Sequence, residues 1–398
     1  MKIALLGTRG VPAHHGGFET CAEEVSRGLA ARGHAVTVYC RWGNAPGNPT
    51  THHGVTLRYT RHIDRKALGT LTHTLAATWD AVRRDFDVLV YFNVGNVLPI
   101  VLAKLMRRVP VVLNVDGLEW KRRKWGWLGQ TYYQISEWLS PKVVDRLITD
   151  SRAIQEYYAR RWRAPSTFLP YGAHLDDARS PAVLSEYGLE PGNYFLTVSR
   201  LEPENNADLT VRAFADVVTD KKLVIVGDGS YRSEFAARLQ RTADPRVVFP
   251  GAVHDPDRVR ELYCGAFAYI HGNEVGGTNP ALLRAMGHAN CVLALDVPYN
   301  AEVVEDAALL YRKDPGDLAG KMRLVLGDPG LVQRLGERAR QRVRASYAWE
   351  DVVQGYERLL RHVLAGAYRG RVPMDDVMRP DASGRERERQ AVTEISRA

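Results

Sequence analysis

The sequence lacks the cysteine and histidine patterns of disulfide-rich and metal-binding proteins. Four cysteines are dispersed along its 398 residues, without a CxxC pair: Cys21, Cys40, Cys264 and Cys291. This spacing indicates buried thiols in a reducing compartment. There is no HExxH motif, and no metal-ligand spacing relates the histidines that are candidates for a chemical role, which are His14, His15, His73 and His174. No metal site is predicted.

Long apolar runs are also missing. The best candidate, Val97–Met106, is interrupted by Pro99 and Lys104 and falls short of the roughly 20 residues that cross a bilayer. The apolar run at the N-terminus ends at Gly7 and is too short for a signal peptide. We therefore expect a cytoplasmic protein, and attachment to the inner face of the plasma membrane stays open.

Three nucleotide-site and hydrolase motifs are absent as well: the GxGxxG dinucleotide fingerprint, the P-loop and the GxSxG elbow. A nicotinamide cofactor is therefore not expected. The net charge of +8 and the pI near 9.3 favour an anionic partner, such as a phosphate, a nucleotide or an acidic lipid surface. Nucleic acid is not expected, because zinc-finger spacing and an RNP-type aromatic run are both missing.

The chain is longer than one hydrophobic core supports, and strand-like and helical segments alternate along it in two series. This pattern predicts an α/β protein with two Rossmann-like, doubly wound domains, residues 1–172 and 190–345, that face a central cleft. Residues 346–365 are predicted to form a C-terminal helix. Residues 370–398 are charged and poor in apolar residues, which is typical of a disordered tail.

The most informative stretch is 266–286. An apolar segment of strand type leads into a loop from His271 to Asn279, and a helix begins at Pro280. A strand, a two-glycine loop and a helix N-terminus direct backbone N–H groups at an anion. Glu274 lies in the same loop, and an acid beside an anion site suits a ligand with both a phosphate and hydroxyls, such as a sugar nucleotide. An ordinary glycine-rich turn is the alternative.

Two further loops suit phosphate binding. Arg200 follows a strand and precedes a helix, where its guanidinium offers two parallel donors to a diphosphate. The alternative is a surface arginine paired with Glu202 or Glu204. Gly16 and Gly17 open the first helix, so that their N–H groups can reach a phosphate across the cleft.

The stretch 114–127 combines two carboxylates, Asp116 and Glu119, with four consecutive cations between tryptophans. A carboxylate at the carboxyl end of a strand suits a general base or a hydroxyl anchor. Lys121 and Arg122 beside tryptophan suit an interface with anionic lipid headgroups. A solvated charge run beside core tryptophans is the alternative.

Together these motifs resemble the GT-B glycosyltransferases of glycosyltransferase family 4. More narrowly, they resemble the bacterial subgroup with a DUF1972-type N-terminal domain that includes rhamnosyltransferases of surface polysaccharide assembly. The resemblance extends from residue 1 to about residue 362 and depends on four motifs: 7–12 with 16–19, 114–122, 200–206 and 271–286. It implies the GT-B fold, with the C-terminal helix crossing back to the first domain.

The resemblance implies a retaining, metal-independent transfer of a hexose or deoxyhexose, with rhamnose the sugar of the subgroup. The donor would be a nucleotide-diphosphate sugar, which is a co-substrate and not a cofactor, and the acceptor a glycan or lipid-linked molecule of cell-surface polysaccharide synthesis. By this resemblance Arg200 would neutralise the leaving diphosphate, Glu274 would hold sugar hydroxyls, and Asp116 would face the reacting centre. The implied donor-binding residues are Gly16, Gly17, Asn205, Gly276, Gly277, Thr278, Asn279 and Arg284, and the implied acceptor or membrane residues are Glu119, Lys121 and Arg122.

Three positions depart from the family pattern. The lysine five residues after the arginine is Asn205 here. The later glutamate of the family's pair is also missing, since Leu282 lies eight residues after Glu274 and Arg284 replaces the glutamate of the Leu-Leu-Glu-Ala-Met sequence. The histidine of the first domain has no clear equivalent. A catalytically idle sugar-nucleotide-binding or scaffold protein of GT-B fold is therefore the alternative function.

Overall fold

The computed structural model describes residues 1–13, 16–64, 68–115, 117–122, 125–177, 180–229, 234–241 and 244–366. Four subjects of the sequence predictions lie outside the described residues: Asp116, His14, His15 and the segment 370–398.

Eight described strands form the first sheet: β1 (Lys2–Leu6), β2 (Ala35–Arg41), β3 (Thr51–His52), β4 (Val55–Thr60), β5 (Val88–Phe92), β6 (Val111–Asn114), β7 (Arg146–Thr149) and β8 (Ser166–Phe168). Their order is β3-β4-β2-β1-β5-β6-β7-β8, and only the β3–β4 pair among them is antiparallel. The sequence predicted the parallel strands but not β3, because a two-residue strand is too short to show an alternating pattern.

Helices lie between these strands in the chain, as right-handed crossovers of a parallel sheet require. Ser151 begins one of them, because its hydroxyl accepts hydrogen bonds from the amides of Ala153 and Ile154. Inner strands such as β5 are buried at every residue, which the helices on both faces explain. The helices of this domain are α1 (Gly17–Ala31), α2 (Gly69–Ala81), α3 (Val97–Met106), α4 (Trp127–Val143) and α5 (Arg152–Trp162).

After the short helix α6 (Pro181–Ser185), a second sheet follows with six described strands: β9 (Tyr194–Val198), β10 (Lys222–Val226), β11 (Val247–Gly251), β12 (Ala268–His271), β13 (Val292–Leu295) and β14 (Ala308–Tyr311). All neighbouring pairs are parallel, in the order β11-β10-β9-β12-β13-β14. The accompanying helices are α7 (Ala207–Ala215), α8 (Glu234–Arg241), α9 (Pro256–Cys264), α10 (Pro280–Gly287), α11 (Pro298–Val304), α12 (Pro315–Gly327) and α13 (Pro329–Ser346). The predicted fold class, two doubly wound α/β domains, is confirmed.

The last described helix, α14 (Trp349–Leu364), packs on α1 of the first domain. Asn114 at the end of β6 donates a hydrogen bond of 2.8 Å to the hydroxyl of Tyr356. Gly28 of α1 lies against Val353, and a methyl group at position 28 would be only 2.6 Å from a Val353 methyl carbon. Within the described residues, no helix has the length and apolar content needed to cross a membrane.

The topology determines where a ligand can bind. In the first sheet the strand order reverses between β1 and β5, and in the second it reverses between β9 and β12. Doubly wound sheets bind ligands outside the carboxyl ends of strands at such a reversal. The loop after β1 leads to Gly16, while the loops after β9 and β12 carry Arg200 and Glu274. The fold therefore brings the predicted donor residues to the two reversal points.

Candidate active site

Two helix N-termini face one another across the cleft. Gly17 begins α1, and a methyl group at that position would lie 3.5 Å from the ring of Pro280, which begins α10. The ring of Tyr171 also bounds this space, 3.0 Å from the position of the same methyl group. The positive ends of two helix dipoles therefore point towards one region, which favours an anionic ligand there.

The two-glycine turn of the second domain rests on the first domain. The backbone of Gly117 lies so close to Gly276 that a methyl group at 117 would be 2.7 Å from the Gly276 Cα. Gly277 packs on the carboxylate of Asp150 at the end of β7, and the Thr278 hydroxyl donates a hydrogen bond to the Asp150 carbonyl oxygen. The turn can adopt this position because neither glycine has a side chain, and Gly276 has a φ of 153°.

The start of α10 is capped by its own residues. Asn279 accepts a hydrogen bond of 2.9 Å from the Ala281 amide, and Pro280 lacks an N–H group. The side-chain oxygen of Asn279 is thus used as a helix cap, which leaves N–H groups of this residue for the phosphate role that the sequence suggested. Arg284, one turn further along α10, is exposed. Burial raises the pKa of the Tyr263 hydroxyl to about 12, and the positive charge of Arg284 opposes this rise.

Glu274 is held by three groups of the second domain. Its carboxylate accepts a hydrogen bond of 2.9 Å from the Asn206 side chain and forms an ion pair with Lys313, and its amide donates to the Glu204 carbonyl oxygen at 3.0 Å. Asn206 also donates to the Gly272 carbonyl oxygen, so it fixes both the start and the middle of the loop. The carboxylate is therefore oriented before any ligand binds.

Asn206 directly precedes α7, where the side chain of an asparagine usually caps the helix. Asn206 does occupy the cap position, but its φ of 55° is left-handed and its side chain caps nothing, because it reaches the Glu274 loop. Asn205 is buried and donates to the Arg200 carbonyl oxygen at 2.7 Å, so it positions the backbone of the arginine.

Arg200 lies between the two domains. Its side chain is open to solvent on one side, yet atoms of both domains surround it. Partial desolvation and, next, the charge of Arg122 lower the pKa of Arg200, whereas the charge of Glu119 raises it. The charges of Glu202 and Glu204 also raise the pKa of Arg200, but no ion pair joins either glutamate to it among the described residues, so the guanidinium can donate to a ligand.

The first domain supplies the opposite wall through a short 3₁₀ turn, Glu119–Lys121. Glu119 is buried; it pairs with Arg122 at 2.6 Å and accepts a hydrogen bond of 3.0 Å from the Trp125 indole. Lys121 is exposed. A hollow of about 440 Å³ separates the two walls, lined by Trp120, Lys121, Gln130, Gln134, Glu204, Glu274 and Val275.

The two described candidate histidines, His73 and His174, have their own surroundings outside the hollow. His73 is fully buried, and burial lowers its pKa to about 3, so the ring is neutral. His174 contacts Glu24 at 2.9 Å. In the described part of the chain, no three His, Cys, Asp or Glu side chains are grouped so that they could hold a metal ion.

Glu204 and Glu274 thus line the hollow, the 276–279 turn contacts the first domain, and Gly17 faces Pro280 at the start of α10. Arg200 lies near Glu119 and Glu204, whose charges raise its pKa. Sequence reasoning missed Lys313, Asp150 and Glu204. Asp150 follows a buried strand at its carboxyl end, which was a usable signal. Lys313 has no local signal, since it comes from the loop after β14, a strand that lies two places from β12 in the sheet.

Comparison with known proteins agrees with the geometry. A family model described as "Glycosyl transferase 4-like domain" matches residues 16–172, and one described as "Glycosyl transferases group 1" matches residues 192–328. The chain belongs to the GT-B glycosyltransferases. Solved structures of similar fold include sucrose-phosphate synthase from Thermosynechococcus elongatus, with a TM-score of 0.77 and 20% identity over 92% of this chain and 99% of that chain.

Two further proteins are similar to this GT-B glycosyltransferase, one in sequence and one in fold. N-acetyl-alpha-D-glucosaminyl L-malate synthase of Bacillus anthracis is 29% identical over 47% of this chain, and the match spans only 50% of the relative's length. Anabaena Alr3699/HepE, solved in complex with UDP-glucose, has a TM-score of 0.73 and 16% identity over 91% of this chain and 99% of that chain. The second likeness concerns the fold alone.

Proposed function

We propose that this glycosyltransferase moves a hexose or deoxyhexose from a nucleotide-diphosphate sugar to an acceptor hydroxyl, with retention of the anomeric configuration and without a metal ion. One observation supports this above all: Glu274 lines a hollow between two doubly wound domains, and Arg200 lies near Glu119 of the first domain and Glu204 of the second. Structural neighbours in complex with UDP and UDP-glucose support a nucleotide sugar as the donor.

The chemistry explains this choice of groups. As the bond between the anomeric carbon and the diphosphate breaks, negative charge builds on the diphosphate and positive charge on the sugar ring. The Arg200 guanidinium and the amides of residues 277–279 are placed to stabilise the first charge, and such fixed dipoles need no rearrangement during the reaction. Glu274 would accept hydrogen bonds from sugar hydroxyls. The acceptor oxygen forms a bond to the anomeric carbon and releases its proton. Asp116 is our candidate for the base that accepts this proton.

The acceptor side of the first domain is cationic. Arg9 follows β1, Arg41 ends β2 and His62 follows β4, and these three strands are neighbours. Desolvation and the charges of Arg41 and Arg9 lower the pKa of His62. Arg41 also lies beside Gly69, where α2 begins. The two arginines support an acceptor that carries a phosphate, as a lipid-linked glycan does. Rhamnose as the sugar, and cell-surface polysaccharide synthesis as the process, depend on the motif resemblance alone.

A two-stage binding experiment tests the proposal. Thermal shift with nucleoside diphosphates, then with their sugars, should identify a donor that raises the melting temperature of the wild-type protein. We expect Arg200→Ala to lose most of the diphosphate effect, because it removes a charged hydrogen-bond donor worth about 1.5–3 kcal/mol. Arg212→Ala, at an exposed arginine of α7, is the matched control.

Turnover separates an enzyme from an idle binding protein. With the identified donor, Glu274→Ala should keep the nucleoside diphosphate effect and lose sugar transfer or donor hydrolysis. A wild-type protein that binds no nucleotide sugar contradicts the proposal. Binding without any turnover would favour the alternative, a sugar-nucleotide-binding or scaffold protein.

A further inference from the structure

An apolar stripe runs along the exposed side of α4. Leu128, Ile135 and Trp138 recur at helical spacing, and Ile135 and Trp138 are 53% and 47% exposed. Trp127, at the start of the helix, is 73% exposed. Large apolar side chains in a row are unusual on a helix that faces water, so this stripe calls for a partner.

The neighbouring helix α3 extends the apolar surface. It packs against α4 and exposes Leu98, Leu105 and Met106, with Leu105 at 80%. Helix α3 contains no acidic residue, and the only acidic residue of α4, Glu137, is buried. We call the exposed side chains of α3 and α4 the α3–α4 face.

Cations border this face. Lys142 follows Trp138 by one turn, and its ammonium lies 3.1 Å from the centre of a Trp138 ring, a cation–π contact. Arg108 is exposed just beyond α3, and Lys121 just before α4. Lys104 of α3 pairs with Asp145. Among the described ion pairs of α3 and α4, this is the one that brings a carboxylate near the exposed apolar side chains.

We propose that the α3–α4 face docks on the surface of an anionic lipid bilayer, with its leucines and tryptophans in the headgroup region and its cations on lipid phosphates. A second copy of the chain is the competing occupant. A two-fold contact through this face would bring the cations of both copies into one interface, and α3 and α4 expose no carboxylate of their own to pair with them, which disfavours it. A bilayer with acidic headgroups satisfies both the apolar and the charged part of the face.

The face adjoins the cleft. Gln130 and Gln134 of the same helix line the hollow between the domains, so one side of α4 is a wall of the site while the other would lie on the membrane. A phosphate-bearing lipid acceptor would then reach the cleft without leaving its bilayer. This inference deepens the proposed function by naming the surface on which the protein docks. Only the delivery of the acceptor from the bilayer to the cleft depends on the acceptor being lipid-linked.

Vesicle flotation of the full-length protein tests the proposal. We expect binding to vesicles of phosphatidylglycerol and phosphatidylcholine at low salt, weaker binding at high salt, and little binding to phosphatidylcholine alone. The double variant Ile135→Glu/Trp138→Glu should bind at least about tenfold more weakly, because two apolar side chains that would enter the headgroup region become charged. Leu324→Glu, at an exposed leucine of α12, is the control and should bind as the wild type does.

Two readouts make the result decisive. Thermal shift with the best nucleoside diphosphate should be the same for the double variant and the wild type, which shows that the variant is folded and that its donor site is intact. Sedimentation velocity reports self-association. Equal flotation of variant and wild type, absence of flotation of the wild type, or a dimer that the double variant dissociates would each overturn the proposal. Failure of all nucleotide binding with normal flotation would instead contradict the proposed function.

Discussion

Lys313 forms an ion pair with Glu274, the carboxylate that we assign to the donor sugar. The lysine comes from the loop after β14 and the glutamate from the loop after β12, so the two meet only in the folded second domain. Position 205, a lysine in the family pattern, is asparagine here and binds backbone. The cleft therefore keeps a lysine ammonium close to the donor position, although the sequence places it elsewhere in the chain.

Replacing Lys313 by alanine should impair the donor step. We expect kcat/KM for the nucleotide sugar to fall about tenfold or more, since the carboxylate loses a charged partner worth about 1.5–3 kcal/mol. Lys313→Arg should retain more activity than the alanine variant. Arg312→Ala changes an adjacent, 81% exposed cation and serves as the control. Equal kinetics for Lys313→Ala and Arg312→Ala would show that Lys313 has no part in donor binding.

Asn206→Asp tests whether the orientation of Glu274 matters. The change keeps the shape and tolerates the left-handed backbone, but it removes the donors to Gly272 and Glu274 and places a like charge 2.9 Å from the carboxylate. We expect a large loss of transfer, with the nucleoside diphosphate still bound. Asn48→Asp is the matched control, because Asn48 also has a left-handed backbone and its side chain accepts a hydrogen bond from the Gly43 amide. Both variants behaving alike would contradict the assigned role.

Gly277→Ala should disturb the contact between the domains. A methyl group at this position would overlap the Asp150 carboxylate, so the turn must move away from the first domain. Overpacking of this kind costs about 1–3 kcal/mol, which urea unfolding measures, and donor affinity should fall with it. Gly320→Ala in α12 meets no atom within 4 Å and should leave stability unchanged or raise it by up to about 1 kcal/mol. An unchanged urea midpoint for Gly277→Ala contradicts this view of the turn.

Glu137 should make stability depend on pH. Burial raises its pKa from 4.5 to about 7, and a hydrogen bond from Tyr157 opposes the rise. The folded protein therefore holds a proton that the unfolded chain loses, so stability falls as the pH rises from about 4.5 to about 7 and is level above. Over this pH range the free energy of unfolding falls by about 3 kcal/mol at most. Urea unfolding of wild type and Glu137→Gln at pH 5 and pH 7.5 checks this, and parallel pH dependences would refute it.

The sequence predicted the parts of this protein that depend on local pattern. The two β/α series, the loop that begins at His271 and the helix that begins at Pro280 all follow from periodicity and glycine–proline placement. The position of Arg200 at the end of β9 was predictable for the same reason. Each of these signals lies within a few residues of the feature it predicts.

What the sequence could not show depends on contacts between distant segments. Asn206 looks like a helix cap, but the acceptor oxygens of the 272–274 loop compete successfully for its side chain. Nothing near Lys313 indicates Glu274 as its partner. The exposure of Trp127, in contrast to the half-buried Trp125, depends on which side of α4 packs on the domain, and a run of cations between tryptophans does not reveal that side.

Helix α14 has a consequence for the order in which this chain can mature. It covers α1 and hydrogen-bonds to the end of β6, although it is the last described helix to leave the ribosome. The apolar side of α1 around Cys21 and Gly28 therefore stays uncovered throughout synthesis of the second domain. The first domain completes its own surface only after the second domain and α14 have been made, so a nascent chain stalled before Trp349 would present that surface to chaperones.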